Sequence, residues 1–149
     1  MIDFEKEQLI GDMAAKYFKS GYYCSEAIVR AFEDVTGVIF SDDFKKAMTI
    51  LGDGIGGSGC LCGAVSSAIM IIGFFTGRLS AKESDKASQK LGNYFISAFK
   101  KQYGTTCCRA LRKKGEIVLG IGKYKHCPEI TAFSARLLYK ILSEKGYIN

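Results

Sequence analysis

The chain has 149 residues, 48% hydrophobic and 24% charged, the balance of one ordinary globular domain. That excludes disordered, collagen-like and coiled-coil chains, and the single proline excludes a proline-rich linker. The net charge of +6 is local: residues 1–99 carry ten Lys or Arg against twelve Asp or Glu, whereas residues 100–125 carry eight against Glu116 alone. Such a stretch can attract an anionic partner, but no DNA- or RNA-binding motif accompanies it, so nucleic acid is not expected as a partner.

Helical periodicity dominates from the start. Ile10, Met13, Ala14, Tyr17 and Phe18 recur at spacings of three and four, which predicts a first helix over about 4–19. Gly21 breaks it. Cys24, Ile28, Ala31, Phe32 and Val35 mark a second helix that ends near Gly37. Ser41 opens a third, with Phe44, Ala47, Met48 and Leu51 as its inner face. A loop with five glycines between Gly52 and Gly59 follows, and then a fourth helix from about Gly63 to Phe75. No charge appears from Gly54 to Gly77, but only Ala64–Phe75 is continuously apolar. That is too short to span a bilayer of ~30 Å, so no membrane span is expected and a helix buried all round is.

Ser80-Ala81-Lys82-Glu83 has the spacing of a capping box and predicts a fifth helix running to about Gln102. Residues 103–126 read as irregular, with weak strand-like alternation around Glu116–Ile121. Pro128 suits the first residue of a last helix, lined by Ile130, Phe133, Leu137, Leu138 and Ile141 and stopped at Gly146. The expected fold is all-α: one compact domain over 1–149 with about six helices.

Six cysteines carry the chemistry: Cys24, Cys60, Cys62, Cys107, Cys108 and Cys127. The first residues are acidic where a secretory signal is basic, so a cytoplasmic chain is expected, in which metal binding or thiol redox chemistry outweighs a static disulfide framework. Cys24, Cys62 and Cys127 each lie near a predicted helix start, where free N–H groups favour thiolate. Cys107 and Cys108 lie among Arg109, Arg112, Lys113 and Lys114, which also favour it. Cys127 is expected to cap the last helix, with Pro128 as the first helical residue and a pKa below ~8.5. The plain alternative is that these cysteines are small buried hydrophobes; it weighs most at Cys60 and Cys107, each beside a better placed neighbour. Neither pair has zinc-finger or bacterial ferredoxin spacing, so any shared site must be assembled by the fold.

These residues resemble the small redox-active family labelled C_GCAxxG_C_C after its four spaced cysteines. Cys24-Ser25-Glu26-Ala27 resembles the first block and Cys62-Gly63-Ala64-Val65-Ser66-Ser67 the central one, with Ser67 where the family has glycine. Cys108 within Tyr103–Arg109 resembles the third cysteine, and Cys127 within His126-Cys127-Pro128 the fourth. The likeness spans about residues 5–145. It implies a redox or metal-related role for Cys24, Cys62, Cys108 and Cys127, and leaves Cys60 and Cys107 as extras expected to tolerate serine.

Other signals are weaker. Gly54–Gly59 matches G-x-G-x-x-G, but a helix precedes it rather than a strand, and no Gly-Lys-Ser/Thr follows. Gly57, Gly59 and Gly63 are instead expected to bring backbone close to whatever Cys60 or Cys62 holds. His126 is a solvated loop residue, a ligand or a thiol-activating base. Three functions stay open. One is a protein holding an iron–sulfur cluster or zinc on Cys24, Cys62, Cys108 and Cys127, with Cys60, Cys107 and His126 as second choices. The second is a thiol–disulfide redox protein using the same cysteines with an undefined redox partner. The third is a helical binding module with incidental cysteines.

Overall fold

The computed structural model describes residues 2–113 and 124–149. Helix α1 (Phe4–Lys19) starts at Asp3, whose carboxylate accepts the N–H groups of Glu5 and Lys6. Helix α2 (Cys24–Thr36) ends at Gly37 in the left-handed conformation. Helix α3 (Asp42–Ala47) is capped by the Ser41 hydroxyl on the Phe44 N–H and runs into a 3-10 turn at Thr49–Leu51. Helices α4 (Gly63–Thr76), α5 (Lys86–Tyr103), α6 (Cys108–Lys113) and α7 (Cys127–Glu144) complete the set. Among the described residues the fold is all-α, as expected, with seven α-helices and no strand.

Helix α4 lies at the centre. It packs against α2, α5 and α7, while α1 lies along α7 and against α2. Its lack of charge follows from that position: Ala64, Val65, Ala68, Ile71 and Ile72 are all buried. Phe32, Phe95, Phe99, Leu138 and Leu142 close around them. Two buried hydroxyls tie the bundle together at the end where α2 and α4 begin. Ser134 of α7 donates to the Ala64 carbonyl at 2.6 Å, and Ser25 of α2 donates to the Met48 carbonyl at 2.7 Å. Among the described residues, no helix is long and apolar enough to cross a membrane.

Three expectations need correction. The capping-box sequence does not open a helix. Glu83 accepts the N–H of Leu79 rather than that of Ser80, and Arg78 donates to the carbonyls of Ala81 and Glu83. These bonds close a turn, and α5 starts only at Lys86. Residues 103–126 are not wholly irregular either, because Cys108–Lys113 forms α6. Finally, α7 begins at Cys127 itself, with His126 as its cap residue and Pro128 one position inside. The strand-like alternation at 116–121 lies outside the described residues.

Candidate functional site

Four helices begin with a cysteine at one place. Cys24 is the first residue of α2, Cys108 of α6 and Cys127 of α7, and Cys62 is the cap residue of α4. All four line one small cavity of about 20 Å³, closed by Leu111, Arg112 and Ile130, room for about one water. All four remain thiols. Outside this cavity lies a cleft of about 390 Å³, whose floor holds Cys24, Cys108 and Cys127 and whose walls include Phe18, Tyr22 and Tyr124.

The backbone at this end is built for close approach. A Cβ on Gly63 would lie 2.7 Å from the Cys24 sulfur and 2.9 Å from the Leu51 carbonyl oxygen, so only glycine lets α4 start this near α2. Glu26 fixes the other side. One carboxylate oxygen accepts the Tyr23 N–H and the other the Thr49 hydroxyl, joining the start of α2 to the 3-10 turn.

Electrostatics divide the thiols. Cys24 lies within hydrogen-bonding reach of Cys62; that bond, then burial, then the negative charge of neighbouring thiolates hold the Cys24 pKa well above the ordinary thiol value. The same bond lowers the pKa of Cys62. Burial opposes it, while the N–H groups of Ala64 and Val65 and the charge of Arg112 add to it. Cys127 is pushed up to about 12, first by burial and then by Cys108 and Cys62. The expected thiolate at Cys127 is therefore corrected: burial outweighs the helix terminus there, and the chain delivers its low-pKa thiol at Cys62.

Arg112 is itself held in place. It pairs with Asp53 at 2.8 Å, and the Tyr124 hydroxyl donates to the same carboxylate at 3.3 Å. Asp53 sits at φ +53° in the glycine loop, a left-handed conformation that Asp tolerates better than most residues. The sequence pattern offered Arg112 only as one of several charges near Cys108, and gave no sign of Asp53 or Tyr124 at the site. The acid and the base are 59 positions apart, and no local spacing links them.

Cys60 and Cys107 form a disulfide with Cα atoms 4.3 Å apart. It joins the segment leading into α4 to the segment leading into α6. Backbone bonds zip the same two segments: Cys62 N–H to Thr106 carbonyl at 2.7 Å, and Arg109 N–H to Gly59 carbonyl at 2.8 Å. The Arg109 guanidinium donates to the Ser58 carbonyl and lies against Gly59. Gly59 thus faces Arg109, and a Cβ on Gly57 would meet nothing within 4 Å. Of the glycines expected to approach a bound group, only Gly63 touches a site sulfur. His126 makes no side-chain bond to the helix it caps. Among the described residues, no three His, Cys, Asp or Glu stand ready to hold a metal ion.

The four thiols that share the cavity are the ones whose surroundings resemble the four spaced cysteines of the motif. The family described as "Putative redox-active protein (C_GCAxxG_C_C)" matches residues 22–141. The chain belongs to this family. Neither a curated protein nor a solved structure matches it. In this C_GCAxxG_C_C protein, Cys60 and Cys107 both fall within the matched span, beside Cys62 and Cys108.

Proposed function

We propose that this C_GCAxxG_C_C protein is a thiol–disulfide redox protein in which Cys62 and Cys24 are the reacting pair, with Cys108 and Cys127 completing the thiol cluster. The observation that supports it is the contact between Cys24 and Cys62, one thiol held protonated and the other drawn toward thiolate. The thiolate is the attacking form in disulfide exchange. Cys62 Sγ attacks one sulfur of a substrate disulfide, and the other sulfur leaves as thiolate. Cys24, on losing its proton, then attacks Cys62 Sγ, and the second substrate sulfur leaves. Two protein thiols become one disulfide, and the substrate disulfide becomes two thiols. Arg112 stabilises the Cys62 thiolate and Asp53 positions Arg112.

A second reading is favoured by the meeting of four cysteine-headed helices at one cavity. In kind, four thiols fit zinc or an iron–sulfur cluster, and helix N-termini favour the negative charge of such a centre. Cys24, Cys62, Cys108 and Cys127 would hold it, and a bound cluster would supply one-electron transfer. As they stand, however, the side chains do not form a ready metal shell, so this reading ranks second.

Protein purified without oxygen decides between them by its iron, zinc and acid-labile sulfide content. The thiol–disulfide reading expects no stoichiometric metal. Stoichiometric iron with sulfide, or stoichiometric zinc, would replace it with the second reading.

A further inference from the structure

The Cys60–Cys107 disulfide and the Cys24–Cys62 contact differ in access. Cys60 is exposed and Cys107 half-buried, whereas Cys62, the attacking sulfur of the inner pair, is only 5% exposed in the small cavity, and Cys24 is half-buried at the cleft. Yet the two centres are neighbours along the chain: Leu61 alone separates Cys60 from Cys62, and Cys107 directly precedes Cys108, which lines the same cavity as Cys24 and Cys62. The backbone bonds from Cys62 to Thr106 and from Arg109 to Gly59 hold together the two segments that carry the outer pair. A protein-sized partner can reach the outer sulfurs and cannot enter a cavity of about 20 Å³.

We propose that the Cys60–Cys107 disulfide is the surface port of an internal relay, exchanging with a disulfide- or dithiol-bearing protein outside and with Cys24–Cys62 inside. This rests on the thiol–disulfide reading above. In the oxidising direction Cys62 Sγ attacks Cys60 Sγ. The Cys60–Cys62 bond forms, the Cys60–Cys107 bond breaks, and Cys107 departs as thiolate and takes a proton. Cys24 gives up its proton and attacks Cys62 Sγ. The Cys24–Cys62 bond forms, and Cys60 departs as thiolate and is protonated. The net step moves two electrons and two protons from the inner dithiol to the outer disulfide. The partner's disulfide then reoxidises Cys60 and Cys107 and is itself reduced to a dithiol. Arg109, packed against the residue before Cys60, places a positive charge beside the departing thiolates.

The test uses whole protein oxidised with diamide until both disulfides are present by peptide mapping, then exposed to a dithiol coupled to agarose beads. The expected result is that the beads reduce Cys24–Cys62 in the wild type about tenfold or more faster than in a Cys60→Ser/Cys107→Ser variant. Dissolved dithiothreitol, small enough for the cleft, should reduce that bond in both within about twofold. Equal rates on beads would overturn the relay. Because the double variant loses a staple, a Cys24→Ser protein gives an independent reading. With the outer disulfide intact and an alkylating agent present, it should accumulate a Cys60–Cys62 bond with Cys107 labelled. A folded Cys24→Ser protein that keeps Cys107 unlabelled would overturn the relay as well. If diamide forms no Cys24–Cys62 bond even in the wild type, the thiol–disulfide reading fails, and the relay with it.

Discussion

Replacing Gly63 by alanine tests the site geometry at its tightest point. The new Cβ would sit 2.7 Å from the Cys24 sulfur, 2.9 Å from the Leu51 carbonyl oxygen and 3.4 Å from the Ser25 Cβ. Comfortable contacts lie near ~3.5–4.0 Å, so the overlap is about 1 Å. The Leu51 oxygen belongs to the backbone, so most of the relief falls on the Cys24 side chain, which alters its contact with Cys62. Overpacking of this kind costs about 1–3 kcal/mol, against a helix-propensity gain of at most ~1 kcal/mol at the first position of α4. The expected net loss of about 1–2 kcal/mol is a fall in melting temperature of roughly 2–8 °C for a chain of this size. Gly73→Ala, in the same helix, is the control. A Cβ there meets nothing within 4 Å, so it should be neutral or stabilise by about 0.5–1 kcal/mol. Thermal unfolding of both variants, with the rate of diamide-driven Cys24–Cys62 bond formation, is the assay. A Gly63→Ala protein as stable as the wild type and equally quick to form that bond would mean that α4 has room for a Cβ beside Cys24.

Further predictions follow from single residues. Ser67 carries, among the described residues, a buried hydroxyl with no hydrogen-bond partner, so Ser67→Ala should leave stability unchanged or raise it by about 1 kcal/mol in denaturant unfolding. Asp53→Asn removes the charge that holds Arg112. It should cost about 1 kcal/mol and, by taking a negative charge away from beside the thiols, lower the pH at which Cys127 is alkylated. Site-resolved alkylation against pH should show Cys62 inflecting below the ordinary thiol value of 9.0 and Cys127 far above it, near 12. The raised thiols, Cys24 and Cys127, bind more protons folded than unfolded above pH 9. Stability from them is therefore intact below pH 9 and lost as pH climbs toward 12, which unfolding measured across that range checks.

The sequence made much of this legible, for physical reasons that vary by element. Periodic apolar positions located α1, α2 and α7, and the charge-free run located α4, because burial of those faces is what forms the helices. Cys24, Cys62 and Cys127, near predicted helix starts, carried over into helix heads, whereas Cys108 heads α6, a helix the sequence pattern did not announce. What failed was what needs a third party. Ser80 and Glu83 carry the right letters for a cap, but Arg78 draws the nearby carbonyls into a turn. At Cys127 the helix terminus was readable and the burial that outweighs it was not. The pairing of Cys60 with Cys107 joins residues 47 positions apart, and nothing local announces it. The same holds for Asp53 and Arg112.

The proposed function requires a redox pair at Cys24 and Cys62 beside a separate Cys60–Cys107 disulfide. Peptide mapping of the protein without reductant, before and after diamide, tests it most directly. One cross-link is expected beforehand, Cys60–Cys107, and a second afterwards, Cys24–Cys62, with Cys108 and Cys127 still alkylatable. A first new bond between Cys108 and Cys127, or Cys24 and Cys62 remaining unlinked while other thiols oxidise, would contradict it.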